Sequence, residues 1–297
     1  MVERFLVDKS GQVYSAFDEQ FAAKFGYPMP DFDLPSYAVR NLGAVDIEFS
    51  GSQTVVRFRS LFVTTTALAA TATLLLEQAQ GPVTVQREDH GWREEIFASS
   101  AEAAAWLTEH GHGSQGSFRD VVTTPLSIAH LSERRLSRIE QPHDKLSLVF
   151  KKWRIMSGVF DREMTDFLVR HQLHDRTIIV SEEPSEKKLV FEHFGAGFTI
   201  FEDINPGWRF SLQGRPVAEQ PDKEYAACID IAYRKSLDER QPRFDHVDAV
   251  VRTPGSKPDR FIYDRLLLPC RGPDGQRVLV STSYGEHLRS IDAGSQK

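Results

Sequence analysis

Apolar and polar residues alternate along much of this 297-residue chain, in runs that change period several times. In "AVDIEFSGSQTVVRFRS", Val45, Ile47 and Phe49 alternate with Asp46 and Glu48 before Ser-Gly-Ser turns the chain into "TVVRFR". That pattern predicts a hairpin with one wet face. "FLVDKSGQVYS" reads as two short strands about a Ser-Gly turn, and "AFDEQFAAKFGYP" as a helix stopped by Gly26 and Pro28. The most apolar stretch, "LFVTTTALAATATLLL" at residues 61–76, ends at Glu77 and contains five threonines. It falls short of the roughly 20 residues that span a bilayer and predicts a buried helix, with Thr64, Thr65 or Thr66 as N-cap. "VTVQREDHGWREEIF" then reads as a second hairpin around His90-Gly91, and "SSAEAAAWLTEH" as a helix capped by Ser99 or Ser100. The order strand-strand-helix-strand-strand-helix predicts an α+β domain over residues 1–112, with helices on one face of an antiparallel sheet.

Composition breaks after that point. "GHGSQGS" is rich in glycine and "SERRLSRIEQPHDK" in charge, which predicts a linker beginning at residue 113. Ile155, Val159, Phe160, Met164, Phe167, Leu168 and His171 recur at helical spacing, so the linker ends in an amphipathic helix around residues 153–171 and extends to residue 176. Such a stripe packs on its own domain or on a second subunit. From residue 177 to 297, "TIIVSEE", "KLVFEHF" and "GFTIFED" read as short strands, "DKEYAACIDIAYRKSLDER" as a helix, and "RFDHVDAVVR", "DRFIYDRLLLPC" and "QRVLVSTSYG" as three successive strands. The last two are joined by Pro273-Asp274-Gly275, where glycine supplies the positive φ of a tight connection. Pro269 cannot donate to a ladder and is expected at a strand end or edge. Along "FIYDRLLLP", Phe261, Tyr263, Arg265 and Leu267 share one face, and Ile262, Asp264, Leu266 and Leu268 the other. Both faces are partly apolar, so the sheet expects cover on both sides.

Length and charge narrow the classes. At this length two domains are the natural expectation. Lys and Arg number 36 against 42 Asp and Glu, a net charge of −6, so the whole chain lacks the field that selects nucleic acid or anionic membrane. The basic window at residues 134–154 holds seven Lys or Arg against Glu140 and Asp144, and reads as a solvated connector. Two cysteines, Cys228 and Cys270, build no disulfide framework or paired zinc motif. "MVERFLVDKSG" does not read as a secretory signal, and a cytoplasmic location without a membrane span is expected.

Two early strands, short helices, one longer helix and three consecutive antiparallel strands resemble a PAS domain over residues 186–284. "FIYDRLLLPCRGPDGQRVLV" and "YAACIDIAYRKSLDERQPRFDHVDAV" are similar to a bacterial PAS subgroup. "VDKSGQVYSAFDEQFAAKFGYP" also resembles a PAS opening, with Ser15 where asparagine is usual. The resemblance implies an α+β fold: a C-terminal PAS-like antiparallel sheet with flanking helices, beside the N-terminal α+β domain. It also implies a sensory protein that binds a small molecule or a protein partner, and dimerisation through the helix around residues 153–171. On predicted PAS elements, the aromatic and polar pocket candidates are Phe198, Trp208, Tyr225, Phe244, His246, Tyr263 and Arg265. The cofactor is unknown.

No nucleophile elbow, phosphate loop, metalloprotease pair or kinase signature occurs. "GHGSQG" fits Gly-x-Gly-x-x-Gly but follows a helix rather than a strand, so it reads as linker. His171 and His174, beside Asp175, lack a third ligand at metal spacing and read as a solvated helix end, as do His110 and His112 for their own segment. His246 shares a strand face with Phe244, Asp248 and Val250; turned inward, it would bond a ligand or ligate a haem. The cysteines read as inert buried thiols rather than redox sensors. The expected function is therefore non-catalytic sensing and regulation. The competing reading is a small-molecule hydrolase or transferase with a site between the domains, using His171 or His246.

Overall fold

The computed structural model describes residues 2–15, 33–51, 53–88, 92–110, 129–140, 145–198, 208–252, 259–284 and 288–289. The chain divides into two compact units, Met1–Ser127 and Ile128–Lys297. The helix expected at 16–28, the His90-Gly91 turn, the glycine motif at 111–116 with His112, and residues 199–203 of the strand expected from "GFTIFED" lie outside the described residues.

The first unit holds strands β1 (Val2–Val7), β2 (Val13–Ser15), β3 (Val45–Ser50), β4 (Gln53–Arg59), β5 (Val83–Glu88) and β6 (Trp92–Phe97). They lie side by side in the order β2-β1-β3-β4-β5-β6. Helix α1 (Leu34–Tyr37) runs into a π-turn, Ala38–Leu42. Helix α2 (Thr65–Gln78) crosses from β4 to β5, and α3 (Ser100–His110) follows β6. Of the three threonines expected as cap, Thr64 is the one used: its side chain accepts from the Ala67 amide at 3.2 Å. Val45, Ile47, Val56, Phe58, Val83 and Val85 pack against Leu68, Leu75 and Leu107 of the two helices. The opposite face carries a cross-strand polar ladder. Buried Asp46 is held by Arg4 at 2.7 and 2.9 Å and by Arg57 at 3.2 Å; Arg57 reaches Gln86 at 2.9 Å, and Gln86 reaches Glu94 at 3.0 Å.

The second unit holds β7 (Ala129–Arg134), β8 (Thr177–Glu182), β9 (Leu189–Phe194), β10 (Arg243–Val251), β11 (Asp259–Arg271) and β12 (Arg277–Tyr284). Their order is β7-β10-β11-β12-β8-β9, every neighbour antiparallel, and a short β13 (Leu288–Arg289) pairs with β11. Helices α4 (Lys145–Ile155) and α5 (Arg162–Arg170) cover one face through Leu146, Val149, Met164 and Leu168, which pack on Leu266, Leu268, Cys270, Val278 and Val280. Helix α6 (Trp208–Leu212) is short. The long helix α7 (Lys223–Glu239), capped by Asp222, buries Tyr225, Ile229, Tyr233 and Leu237.

These arrangements correct the expected fold class. The molecule is broadly α+β, but it does not have a clear PAS layout. The first unit's sheet is mixed, because β4 and β5 run parallel; a parallel pair needs a crossover, which α2 supplies, whereas two hairpins in series would have stayed antiparallel. In the second unit, "AHLSER", read as linker, is instead strand β7 and pairs along β10. The sheet therefore takes in a strand that was read as linker, and it carries helices on both faces, as its two partly apolar faces led one to expect. The expected continuous helix at 153–171 is two helices, broken where Ser157 and Gly158 take φ of 52° and 71°. Both helices turn apolar residues onto their own sheet, so much of the 113–176 region belongs to the second unit's core.

Candidate functional site

The Pro-Asp-Gly corner forms, with Gly275 at φ 77°, and it fixes the register of β11 against β12. That register sets Arg265 opposite Ser283, and the separate pairing of β10 with β11 sets it opposite Asp245. All three lie on the face away from α4 and α5. There, between that face, β8, β9 and α7, a small pocket is lined by Arg265, Tyr225, Tyr233, Tyr263, Gln220, Ser281, Ser283, Phe191, Phe194, Phe198, Ile178 and Ile229. Tyr225, Ile229 and Tyr233 reach it because residues four apart share one face of α7.

Electrostatics centre on Arg265, which is only 1% exposed. Its Nε and Nη2 donate to Asp245 Oδ2 at 3.1 and 2.9 Å, and Arg243 Nε donates to Asp245 Oδ1 at 2.6 Å. One carboxylate thus holds two buried arginines. Burial works against the charge on Arg265, but Asp245 and the surrounding phenols outweigh it and leave the pKa above its ordinary value. The guanidinium also lies 5.4 Å from the Tyr233 ring centroid.

Three phenols complete the polar side. Tyr225 and Tyr263 share a hydrogen bond at 2.8 Å, and Tyr233 bonds Ser281. Burial raises the pKa of all three, Tyr225 most strongly, so they stay protonated hydrogen-bond donors across the physiological range. The other side is aromatic: Phe194 meets Phe191 and Phe198 edge to face at 5.7 and 5.2 Å. About 20 Å³ remains free inside, room for little more than a water.

Of the residues singled out from the sequence, Phe198, Tyr225, Tyr263 and Arg265 come together here. Trp208 opens α6. Phe244 and His246 do not reach the pocket: alternation along β10 turns them to the opposite face, where Phe244 packs in the α4–α5 core. His246 Nδ1 there lies 2.7 Å from Asp264 Oδ1, and Arg134 bonds the same carboxylate at 3.0 Å. Sequence reasoning missed Asp245, Tyr233 and the serines. The four-residue spacing of Tyr225, Ile229 and Tyr233 was the available signal for the helix, and an arginine on an apolar strand face was the signal that a buried acid had to face it.

His171 packs on Phe167 at 4.3 Å, and His174 on His193 at 4.0 Å. Among the described residues no group of three His, Cys, Asp or Glu side chains is placed to hold a metal ion. Cys270 is buried, which pushes its thiol up to about 12 despite a contact with Trp153 that acts the other way. No family model matches the sequence, and no curated protein matches it. Among the described residues, no helix is long and apolar enough to cross a membrane.

Proposed function

We propose that this chain is a non-catalytic sensory and regulatory protein that takes a small molecule into the Arg265 pocket and passes occupancy to a partner. The observation that carries the reading is a void lined by three tyrosines and by buried Arg265, which Asp245 holds. A core built for stability alone is served as well by apolar residues of the same volume, so a desolvated ion pair beside phenol donors favours a recognition role. The donors suit a ligand bearing hydrogen-bond acceptors, and the Phe191, Phe194 and Phe198 side suits a flat apolar body. With so little free volume, the ligand enters by displacing side chains, Phe198 first. We put the partner surface on α4 and α5, a reading supported by the exposed apolar side chains of Ile155 (77%) and Val169 (56%).

Native mass spectrometry of the protein as isolated, with a thermal-shift screen over a metabolite panel, tests this. A ligand at about 100 times its Kd stabilises by about 2.7 kcal/mol, and the gain disappears in Arg265→Met. Failure of every compound to shift the transition, with only the apo mass present, rejects the reading. The His246–Asp264 pair is the observation that favours an enzyme instead; turnover of a panel compound that His246→Asn abolishes would put that reading in its place.

A further inference from the structure

Segment 193–198 forms one wall of the pocket through Phe194 and Phe198, and it is fastened at its far side to the turn His174–Arg176. His193 Nε2 lies 3.2 Å from the His174 carbonyl oxygen, and the two imidazole centroids are 4.0 Å apart at 35°. Gly195 N donates to Thr177 O at 3.0 Å and Gly197 N to Asp175 O at 2.7 Å. The fit is close enough that a Cβ on Gly195 would stand 2.4 Å from the Asp175 carbonyl oxygen, and one on Gly197 2.9 Å from it. Both histidines are partly buried.

We infer that the stacked pair His174–His193 is an acid-released clamp: neutral rings hold segment 193–198 against the turn, and protonation of both drives it off and opens the pocket. The inference rests on the ligand-binding reading above for its purpose, though not for its geometry. Two imidazolium charges 4.0 Å apart repel in a partly desolvated setting; burial and this repulsion oppose the charged ring, while the bond from His193 to the His174 carbonyl favours it. Among the described residues, the charged neighbour that acts on His193 besides His174 is Asp175 of the turn, which favours protonation; Arg176 runs its side chain beside Gly197. On β9, Glu192 is held by Ser181, and the cross-strand neighbour of His193 is Ile179.

Burial, ahead of the repulsion from His174, holds His193 below its ordinary value of 6.5. The opened segment therefore binds the proton more tightly than the closed one. Closure is fully favoured above that ordinary value and is lost progressively as pH falls from 6.5 toward the lower value of the closed form.

Amide hydrogen exchange of Gly195 and Gly197, corrected for intrinsic rates, tests the clamp on the full chain between about pH 7.5 and 5.5. Exchange is expected to speed up with acid, by about tenfold for each pKa unit of depression. His193→Gln keeps a donor for the His174 carbonyl but does not titrate, so it flattens the dependence. His174→Gln does the same should the first variant loosen the segment at every pH. Acid-independent exchange in the wild type, or unchanged dependence in both variants, overturns the clamp. The readout needs no ligand: a clamp without any ligand would fail the sensory reading alone, and a ligand bound equally at both pH values would fail the clamp alone.

Discussion

Asp245 decides more than any other single residue in the second unit. It is fully buried and accepts from Arg243 and Arg265 at once. Asp245→Asn removes the carboxylate that Arg243 and Arg265 share, leaving Arg243 with Glu133 at 3.8 Å, and is expected to cost about 3–5 kcal/mol in urea unfolding. Arg265→Met should cost clearly less, because Asp245 keeps Arg243. Equal losses in the two variants would mean that the carboxylate is not the hub. The sequence showed Arg265 and Tyr263 on one strand face, but which residue of "RFDHVD" faces Arg265 depends on register, and a slip of one residue would have brought Phe244 or His246 there instead.

Among the elements, the α4–α5 break is where periodicity and structure part. Apolar residues continue at helical spacing through Ile155, Val159 and Phe160, so a stripe alone predicts one helix. The chain instead turns at Ser157 and Gly158 to bond strand β11: Phe160 N donates to Arg271 O at 2.9 Å and Arg271 N to Gly158 O at 2.8 Å. Phe160 still packs on the core after the turn, as a continuous stripe would have placed it, so the pattern could not distinguish the two. A Cβ on Gly158 meets only ordinary contacts, the nearest at 3.4 Å, so Gly158→Ala isolates the cost of a left-handed backbone. It should destabilise by about 1–2 kcal/mol in a denaturant titration, and a neutral result would mean the break is not held at that conformation. Pro269 was legible: it lies in β11 just past Leu267, where pairing with β10 ends, so its missing donor leaves no gap on that side.

For the whole molecule, charge placement matters more than charge count. The basic window of residues 134–154 is dispersed on folding: Arg134 pairs with Asp264, Lys152 with Glu163, and Lys145 lies over the Tyr284 ring. Three of its seven cations are engaged in this way, and the whole chain carries a net charge of −6. The protein should pass a heparin column without retention at roughly 0.15 M salt; retention that falls steeply with added salt would show a phosphate-binding surface.

The sequence by itself determined the strands with two apolar faces, the Pro-Asp-Gly corner and the Thr64 cap region. These are local properties, set by alternation, turn chemistry and capping within a few residues of chain. Only the tertiary structure decided that β4 and β5 run parallel, that "AHLSER" joins a sheet, and that Phe244 and His246 look away from the pocket while Asp245 holds Arg265 on the pocket side. A period of two separates one strand face from the other but assigns neither to a neighbour; packing and register across distant segments make that choice.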